Sequence, residues 1–118
     1  MISLNRVIIA GALTKTPILH ETASNRKFAT FTIAINDAWH GKDGEYVKRT
    51  TYVNITCWGN LAQNVCKYLN KGKHIMAEGR LSSDSYTDSN GKQHHLLRVE
   101  ASSVVFCENT GGTQKVEE

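Results

Sequence analysis

Runs rich in β-branched residues fill this chain, and a single segment with helical spacing interrupts them. In residues 27–36, one face of an alternating pattern is formed by Phe28, Thr30, Thr32 and Ala34. Alternation of this kind predicts a half-buried β-strand. Further runs of similar character lie at residues 4–13, 50–58, 74–81 and 93–101. The chain is therefore predicted to fold mainly as β-sheet.

The helical segment follows the third of these runs. Its apolar residues recur at helical spacing: Leu61, Ala62, Val65, Tyr68 and Leu69. We expect Asn60 to cap the helix and Gly72 to end it as the C′ glycine. Lys71 and Lys73 then lie near the negative end of the helix dipole.

Turn-forming residues separate the runs. Gly11 inside the first run predicts a bulge or bend, and the polar residues 38–48 predict a long loop between two strands. Asn90-Gly91 is typical of a tight turn between paired strands. The resulting order is three strands, one helix and two strands.

This order predicts an all-β fold with small helical content: a five-stranded Greek-key barrel of the OB-fold type, with its α-helix between strands 3 and 4. The 118 residues suit one domain with one core. We expect residues 1–107 to form this domain. The polar, glycine-bearing residues 108–118 are expected to form a short flexible tail.

The cysteine pattern indicates the redox state of the cellular compartment. They are three in number, without a CxxC pair: Cys57, Cys66 and Cys107. This pattern favours buried thiols in a reducing compartment over a disulfide framework or a zinc site. No signal peptide and no apolar run of about 20 residues is present, so we expect a cytoplasmic protein that contacts no membrane.

The sequence motifs give little support for catalysis. No nucleophile elbow and no glycine-rich phosphate loop followed by a helix occurs, and the adjacent His94 and His95 would point to opposite faces of a strand. Glu78, Asp84 and Asp88 leave open a metal-dependent nuclease, although a strand and a turn explain them better. We expect no enzyme activity, no metal and no cofactor.

Four aromatic residues lie near predicted strand ends and polar loops: Trp39, Tyr52, Trp58 and Tyr86. Tyr52 and Trp58 share the parity of their positions, so both rings should point to one face of a regular strand. One interpretation is that these rings fill the barrel or its rim. The other is that they stack on unpaired bases, whose flat faces accept any aromatic ring.

Basic residues are interleaved with these rings. Residues 1–107 carry 13 Lys and Arg against 8 Asp and Glu, which gives this part of the chain a positive balance. The candidates for phosphate contacts are Arg6, Lys42, Lys48, Arg49, Lys71, Lys73 and Lys92. Each could equally be an ordinary solvated charge, but cations among aromatics on a β scaffold are typical of single-strand binding.

Several motifs resemble the bacterial single-stranded-DNA-binding proteins. They are NRVIIAG at 5–11, FTIA at 31–34 followed by Trp39, WGNLA at 58–62, YLNKG at 68–72, EGRL at 78–81 and YTDSNG at 86–91. The resemblance runs from residue 4 to residue 106. It implies a nucleoid-associated OB-fold homotetramer that binds single-stranded DNA during replication, repair and recombination. It places the family's stacking positions at Trp39, Tyr52, Trp58 and Tyr86.

The chain departs from the family pattern in two places. Members often carry basic residues before the aromatic at Tyr86, whereas this chain has SSDS at 82–85, so we expect weaker phosphate binding there. Members also carry an acidic, hydrophobic C-terminal tip that recruits replication and repair proteins, and this sequence lacks it. A related OB-fold interaction module that acts mainly through protein contacts is the alternative function.

Overall fold

The computed structural model describes residues 1–107 and the strand at 113–117. The strands are β1 (Val7–Leu13), β2 (Ile18–Glu21), β3 (Lys27–His40), β4 (Tyr46–Trp58), β5 (His74–Thr87), β6 (Gln93–Cys107) and β7 (Thr113–Glu117). The helix α1 covers Gly59–Tyr68. No helix in these described ranges has the length and apolar character to cross a membrane.

Five strands close into a barrel in the order β1-β5-β6-β4-β3. The closure is made by β1 and β3, where Ala12 lies opposite Ala34 and Leu13 opposite Ile33. All barrel pairs are antiparallel except β4 and β6, which run parallel. The short β2 extends the sheet from β3. The predicted five-stranded barrel, with its helix between the third and fourth barrel strands, is confirmed.

The core lies inside the barrel and under α1. Its largest fully buried side chains come from every barrel strand but β1 and from the helix: Ile33, Ile55, Cys57, Leu61, Val65, Ile75, Val99 and Val104. On β3 the buried residues Ala29, Phe31 and Ile33 alternate with less buried ones, as the sequence pattern predicts. Burial of these side chains supplies the main driving force for folding.

The helix differs from its prediction at both ends. It begins at Gly59, and Trp58 holds the N-cap position without a side-chain cap, so the assignment of Asn60 as the cap is wrong. Gly59 has a φ of 68°, which lets the strand turn directly into the helix. The helix ends at Tyr68, with Leu69 as its C-cap, and Gly72 lies beyond it in a turn, where its N–H donates to the Leu13 carbonyl.

The predicted polar loop at 38–48 is also wrong. β3 and β4 pair without interruption from Phe28 opposite Trp58 to His40 opposite Tyr46, so residues 41–45 alone form the connection. The outer part of this hairpin extends beyond the core, where both faces are solvated and polar residues fit either face. Trp39 therefore lies in a strand, opposite Val47.

The second hairpin matches its prediction at the turn. β5 and β6 pair from Thr87 opposite Gln93 inward, and Asn90-Gly91 lies in the turn. Asp88 holds this turn, because its Oδ1 accepts the backbone N–H groups of Asn90 and Lys92. Gly91 has a φ of 80°, a conformation that favours glycine.

One strand is described in the C-terminal part of the chain, after residue 107. β7 pairs antiparallel with the end of β6, from Ser103 opposite Glu117 to Cys107 opposite Thr113. It lies within the segment for which the sequence predicts a flexible tail. Residues 108–112 and 118 of that segment lie outside the described residues.

Gly11 is needed for close approach rather than for a bulge. The register of β1 against β5 is regular through Gly11, and the bulge of this sheet lies between Glu78 and Gly79. A Cβ at Gly11 would collide with the backbone carbonyl of Ala34, at the point where β1 closes the barrel on β3.

Gly11→Ala is therefore expected to lower the free energy of unfolding by about 1–3 kcal/mol, because the backbone must shift to admit the methyl group. Thermal unfolding followed by circular dichroism measures this. Gly44→Asn is the control: Gly44 has open space around it, and Asn tolerates its left-handed conformation. Equal melting temperatures for Gly11→Ala and the wild type would contradict the close-approach explanation.

Candidate nucleic-acid interface

The outward face of β4 carries two of the sequence-predicted rings. Even-numbered positions of β4 point away from the core, since Ile55 and Cys57 point into it. Tyr52 is 68% exposed, whereas Trp58 at the barrel end of the same face is half-buried. The two rings share a face, as the parity of their positions predicts.

Trp39 lies on the opposite face of the β3–β4 hairpin. It pairs with Val47 in the odd-numbered register and is 41% exposed. The guanidinium of Arg49 lies 5.3 Å from its ring centroid, a cation–π distance. On the other face, the Lys48 ammonium lies 5.5 Å from the ring of the exposed Tyr46. The hairpin thus presents one aromatic–cation pair on each side.

Tyr86 projects from the second hairpin, on the outward face of β5. It is 49% exposed and stacks on His94 of β6, with ring centroids 5.0 Å apart and planes 16° apart. His94 Nε2 lies 2.7 Å from Asp88 Oδ2. The hydrogen bond from His94, together with those from the turn backbone, holds the pKa of Asp88 below its ordinary value. Tyr86 is therefore held in place by a network that includes the turn itself.

Trp58 belongs to a row of neighbouring rings that the sequence analysis missed. Across three adjacent strands, His20, Phe28 and Trp58 lie at the same level of the sheet. The His20 and Phe28 ring centroids are 4.8 Å apart, and those of Phe28 and Trp58 are also 4.8 Å apart. The Arg26 guanidinium lies 4.5 Å from the Trp58 ring centroid. A signal was available, because the alternation placed the large ring of Phe28 on a face of threonines.

A groove of about 810 Å³ runs beside Trp58. Three guanidinium groups line it, those of Arg6, Arg26 and Arg80. Two carboxylates share the groove: Glu78 forms an ion pair with Arg6, and Glu100 Oε2 lies 3.0 Å from Arg80 Nη2. An extended polyanion passing Trp58 would meet cations here, two of them already partly neutralised.

Arg98 links β5 and β6, the two strands of the second hairpin, electrostatically. Its Nε donates to Asp84 Oδ2 at 2.7 Å, and its Nη1 to Glu100 Oε1 at 3.2 Å. The hydrogen bond to Asp84 is the main reason that the pKa of Arg98 is raised. The hydrogen bond from Arg80 is the main reason that the pKa of Glu100 is lowered. Asp84 thus forms an ion pair with Arg98 and partly neutralises this cation, which lies between Trp58 and Tyr86.

The remaining basic candidates are dispersed. Lys42 lies in the 41–45 connection and Lys92 in the turn of the second hairpin, each close in sequence to an exposed ring. Lys71 and Lys73 lie in the turn after α1, beside Leu13, which pairs with Ile33. Ile33 is five positions along β3 from Phe28, about 16 Å at the usual strand rise. The structure does not bring these two lysines to the Trp58 end of the aromatic face.

The three carboxylates that suggested a metal-dependent nuclease as an alternative form ion pairs within the protein. Glu78 pairs with Arg6, Asp84 with Arg98, and Asp88 with His94. Residues 1–107 and 113–117 contain no group of three or more His, Cys, Asp or Glu side chains arranged to hold a metal ion. Of the cysteines, Cys57 is buried, and burial raises the pKa of the Cys66 thiol.

The model of the "Single-strand binding protein family" matches residues 4–107. Among curated proteins, the single-stranded DNA-binding protein of Bacillus cereus is 40% identical over 114 residues. The single-stranded DNA-binding protein A of Bacillus subtilis is 37% identical over 112 residues. These alignments cover 95% and 93% of this chain, which spans 66% and 64% of the relatives' lengths.

The fold has a close counterpart among solved structures. A Plasmodium falciparum SSB in complex with single-stranded DNA superposes with a TM-score of 0.85 at 23% identity. The alignment covers 92% of this chain and 98% of that one. The OB-fold assignment is therefore confirmed.

Proposed function

This chain belongs to the single-strand binding protein family, and from that premise we propose that it binds and protects single-stranded DNA without a sequence requirement. Bases stack on exposed aromatic rings, and Lys and Arg side chains contact the phosphates. The proposal extends to the family's settings of DNA replication, repair and recombination, in the cytoplasm at the nucleoid.

One observation carries this proposal: large rings project outward from both hairpins and from the barrel between them. Tyr52, Tyr86 and Trp39 keep 41–68% of their surface exposed, although burial of a large ring is strongly favourable. Trp39 lies beside the guanidinium of Arg49 and Tyr86 stacks on His94, and these contacts hold the two rings in their orientations. Exposed rings with fixed orientation are suited to stacking on bases, which is sequence-tolerant because every base has two flat faces.

The proposed contacts divide into two groups. The stacking residues are Trp39, Tyr52, Trp58 and Tyr86. The phosphate contacts are Arg6, Lys42, Lys48, Arg49, Lys71, Lys73 and Lys92. We assign the binding domain to residues 1–107, and the protein needs no cofactor and catalyses no reaction.

We further propose that copies of the chain assemble, as a homotetramer. On one side β1 pairs with β5. On its other side it pairs with β3, within the described residues, only at Ala12 and Leu13, so the edge from Val7 to Gly11 is open. The apolar side chains of Ile8 and Met76 are 59% and 41% exposed next to this edge. An open edge with apolar neighbours favours pairing with a second copy.

A competition experiment tests the DNA proposal. Labelled oligo-dT is bound at low salt and then challenged with unlabelled single strands of different base composition and with duplex DNA. We expect single strands of any composition to compete and duplex DNA to compete poorly, since stacked bases in a duplex are closed to the rings. Equal competition by duplex, or cleavage of the strand in Mg²⁺, would contradict the proposal.

Asp84 is expected to limit affinity. Asp84→Asn removes one repelling charge and releases Arg98 for phosphate contact, so oligo-dT should bind about two- to fivefold more tightly at low salt. The slope of log K against log salt should steepen by about 0.7. Fluorescence anisotropy measures both quantities. In an Arg98→Gln background the gain should largely disappear, and a gain of unchanged size there would contradict the role given to Arg98.

A further inference from the structure

A second, smaller groove borders Trp58 on the side of the helix. It has a volume of about 300 Å³. Its lining residues are Asn25, Arg26, Lys27, Trp58, Gly59 and Gln63. Arg26 and Trp58 also line the larger groove, so this stacked pair forms a ridge that the two grooves share.

The turn between β2 and β3 fixes one wall of the smaller groove. Thr22 N–H donates to the Arg26 carbonyl at 2.8 Å, and Arg26 N–H donates to Thr22 Oγ1 at 3.1 Å. Asn25 completes the turn with a φ of 65°, a left-handed conformation that Asn tolerates. Arg26 and Lys27 therefore leave a well-held turn rather than a loose loop.

The opposite wall is the first turns of α1, which follows Trp58 directly. Gln63 is exposed there and brings an amide to the groove. The groove thus combines two cations, two side-chain amides and an aromatic ring, and none of its lining residues in the described part of the chain is a carboxylate. Amides of Asn and Gln can pair with base edges, whereas Lys and Arg contact phosphate.

We propose that this smaller groove is a further nucleotide subsite, which takes the nucleotide next to the one stacked on Trp58. The strand crosses the Arg26–Trp58 ridge from the larger groove. Lys27 and Arg26 hold its phosphate, and the amides of Gln63 and Asn25 face its base. The inference rests on the proposed single-strand binding and adds a direction in which the strand leaves the barrel, along the β2–β3 turn.

Lys27→Ala tests this subsite, with Lys67→Ala as its matched control. Both variants remove one lysine, but Lys67 lies on α1 beside Tyr68 and lines neither groove. We expect Lys27→Ala to reduce the slope of log K against log salt by about 0.7, the value for one lost phosphate contact on a single strand. Lys67→Ala should retain the wild-type slope.

Gln63→Glu is the second variant, which places a carboxylate in the groove at an exposed helix position that tolerates it. We expect oligo-dT to bind about fivefold or more weakly, with an unchanged melting temperature. If Lys27→Ala matches Lys67→Ala and Gln63→Glu binds as the wild type does, the subsite is wrong while the proposed function stands. If the wild type itself does not bind oligo-dT, both are wrong.

Discussion

Replacement of Trp58 by Ala is expected to weaken oligo-dT binding by about five- to 150-fold, because stacking on one base is worth roughly 1–3 kcal/mol. Trp58 lies between Phe28 and Arg26 and lines both grooves, so its loss also removes the surface that joins them. Anisotropy of a labelled strand measures the affinity without relying on the tryptophan signal.

The control for this variant is Trp58→Phe, which keeps a ring at the same level of the sheet as Phe28. It should retain most of the affinity. A folded Trp58→Ala protein that binds as tightly as the wild type would show that the ring is rim packing. Combining Trp39→Ala with Trp58→Ala tests the other face of the hairpin. Because the two rings lie on opposite faces, the two losses of binding free energy should be nearly additive.

Salt is expected to produce the second large effect. Each phosphate contact contributes about −0.7 to the slope of log K against log salt for a single strand. Of the proposed cations, four lie on the two hairpins: Lys42, Lys48, Arg49 and Lys92. With about four contacts the slope is about −3, so affinity should fall roughly 50-fold between 50 and 200 mM salt.

Two structural facts keep this slope moderate. Arg6 is already paired with Glu78, and Asp84 and Glu100 occupy Arg98. The measurement is a set of anisotropy titrations over this salt range, with the melting temperature recorded at each end as a control for folding. An affinity that does not change with salt would remove phosphate contacts from the account.

The barrel could be predicted because its signals are local. Alternation within each strand depends on which face meets the core, and 27–36 and 50–58 carry that pattern in their own residues. The helix could be located from the spacing of Leu61, Ala62 and Val65, which are all buried. Its ends could not, because Gly59 turns the strand into the helix without any side-chain cap.

The long hairpins could not be predicted, because their pairing extends beyond the core. At Ala38 and Lys48 neither face is buried by the barrel, so the sequence shows no alternation and resembles a loop. The backbone ladder between opposite strands continues there regardless of side-chain polarity. The extended pairing matters for the site, since it places Trp39 in a strand, on the face of the hairpin opposite Tyr52.

The side-chain network around Trp58 lay beyond the sequence analysis for a different reason. The contacts of Trp58 with Phe28 and Arg26, and of Arg98 with Asp84, join residues distant in sequence. These contacts depend on strand register, because a slip of one residue would turn each side chain to the opposite face of the sheet. The aromatic positions themselves could be proposed from their places at strand ends and from the family resemblance.

The most direct test of the account is intrinsic tryptophan fluorescence during titration with oligo-dT, first at low and then at high salt. Stacking of bases on Trp39 and Trp58 predicts strong quenching that saturates, with a weaker apparent affinity at high salt. Absence of quenching together with absence of binding would contradict the stacking account and favour a module that acts through protein contacts, with its rings as rim packing.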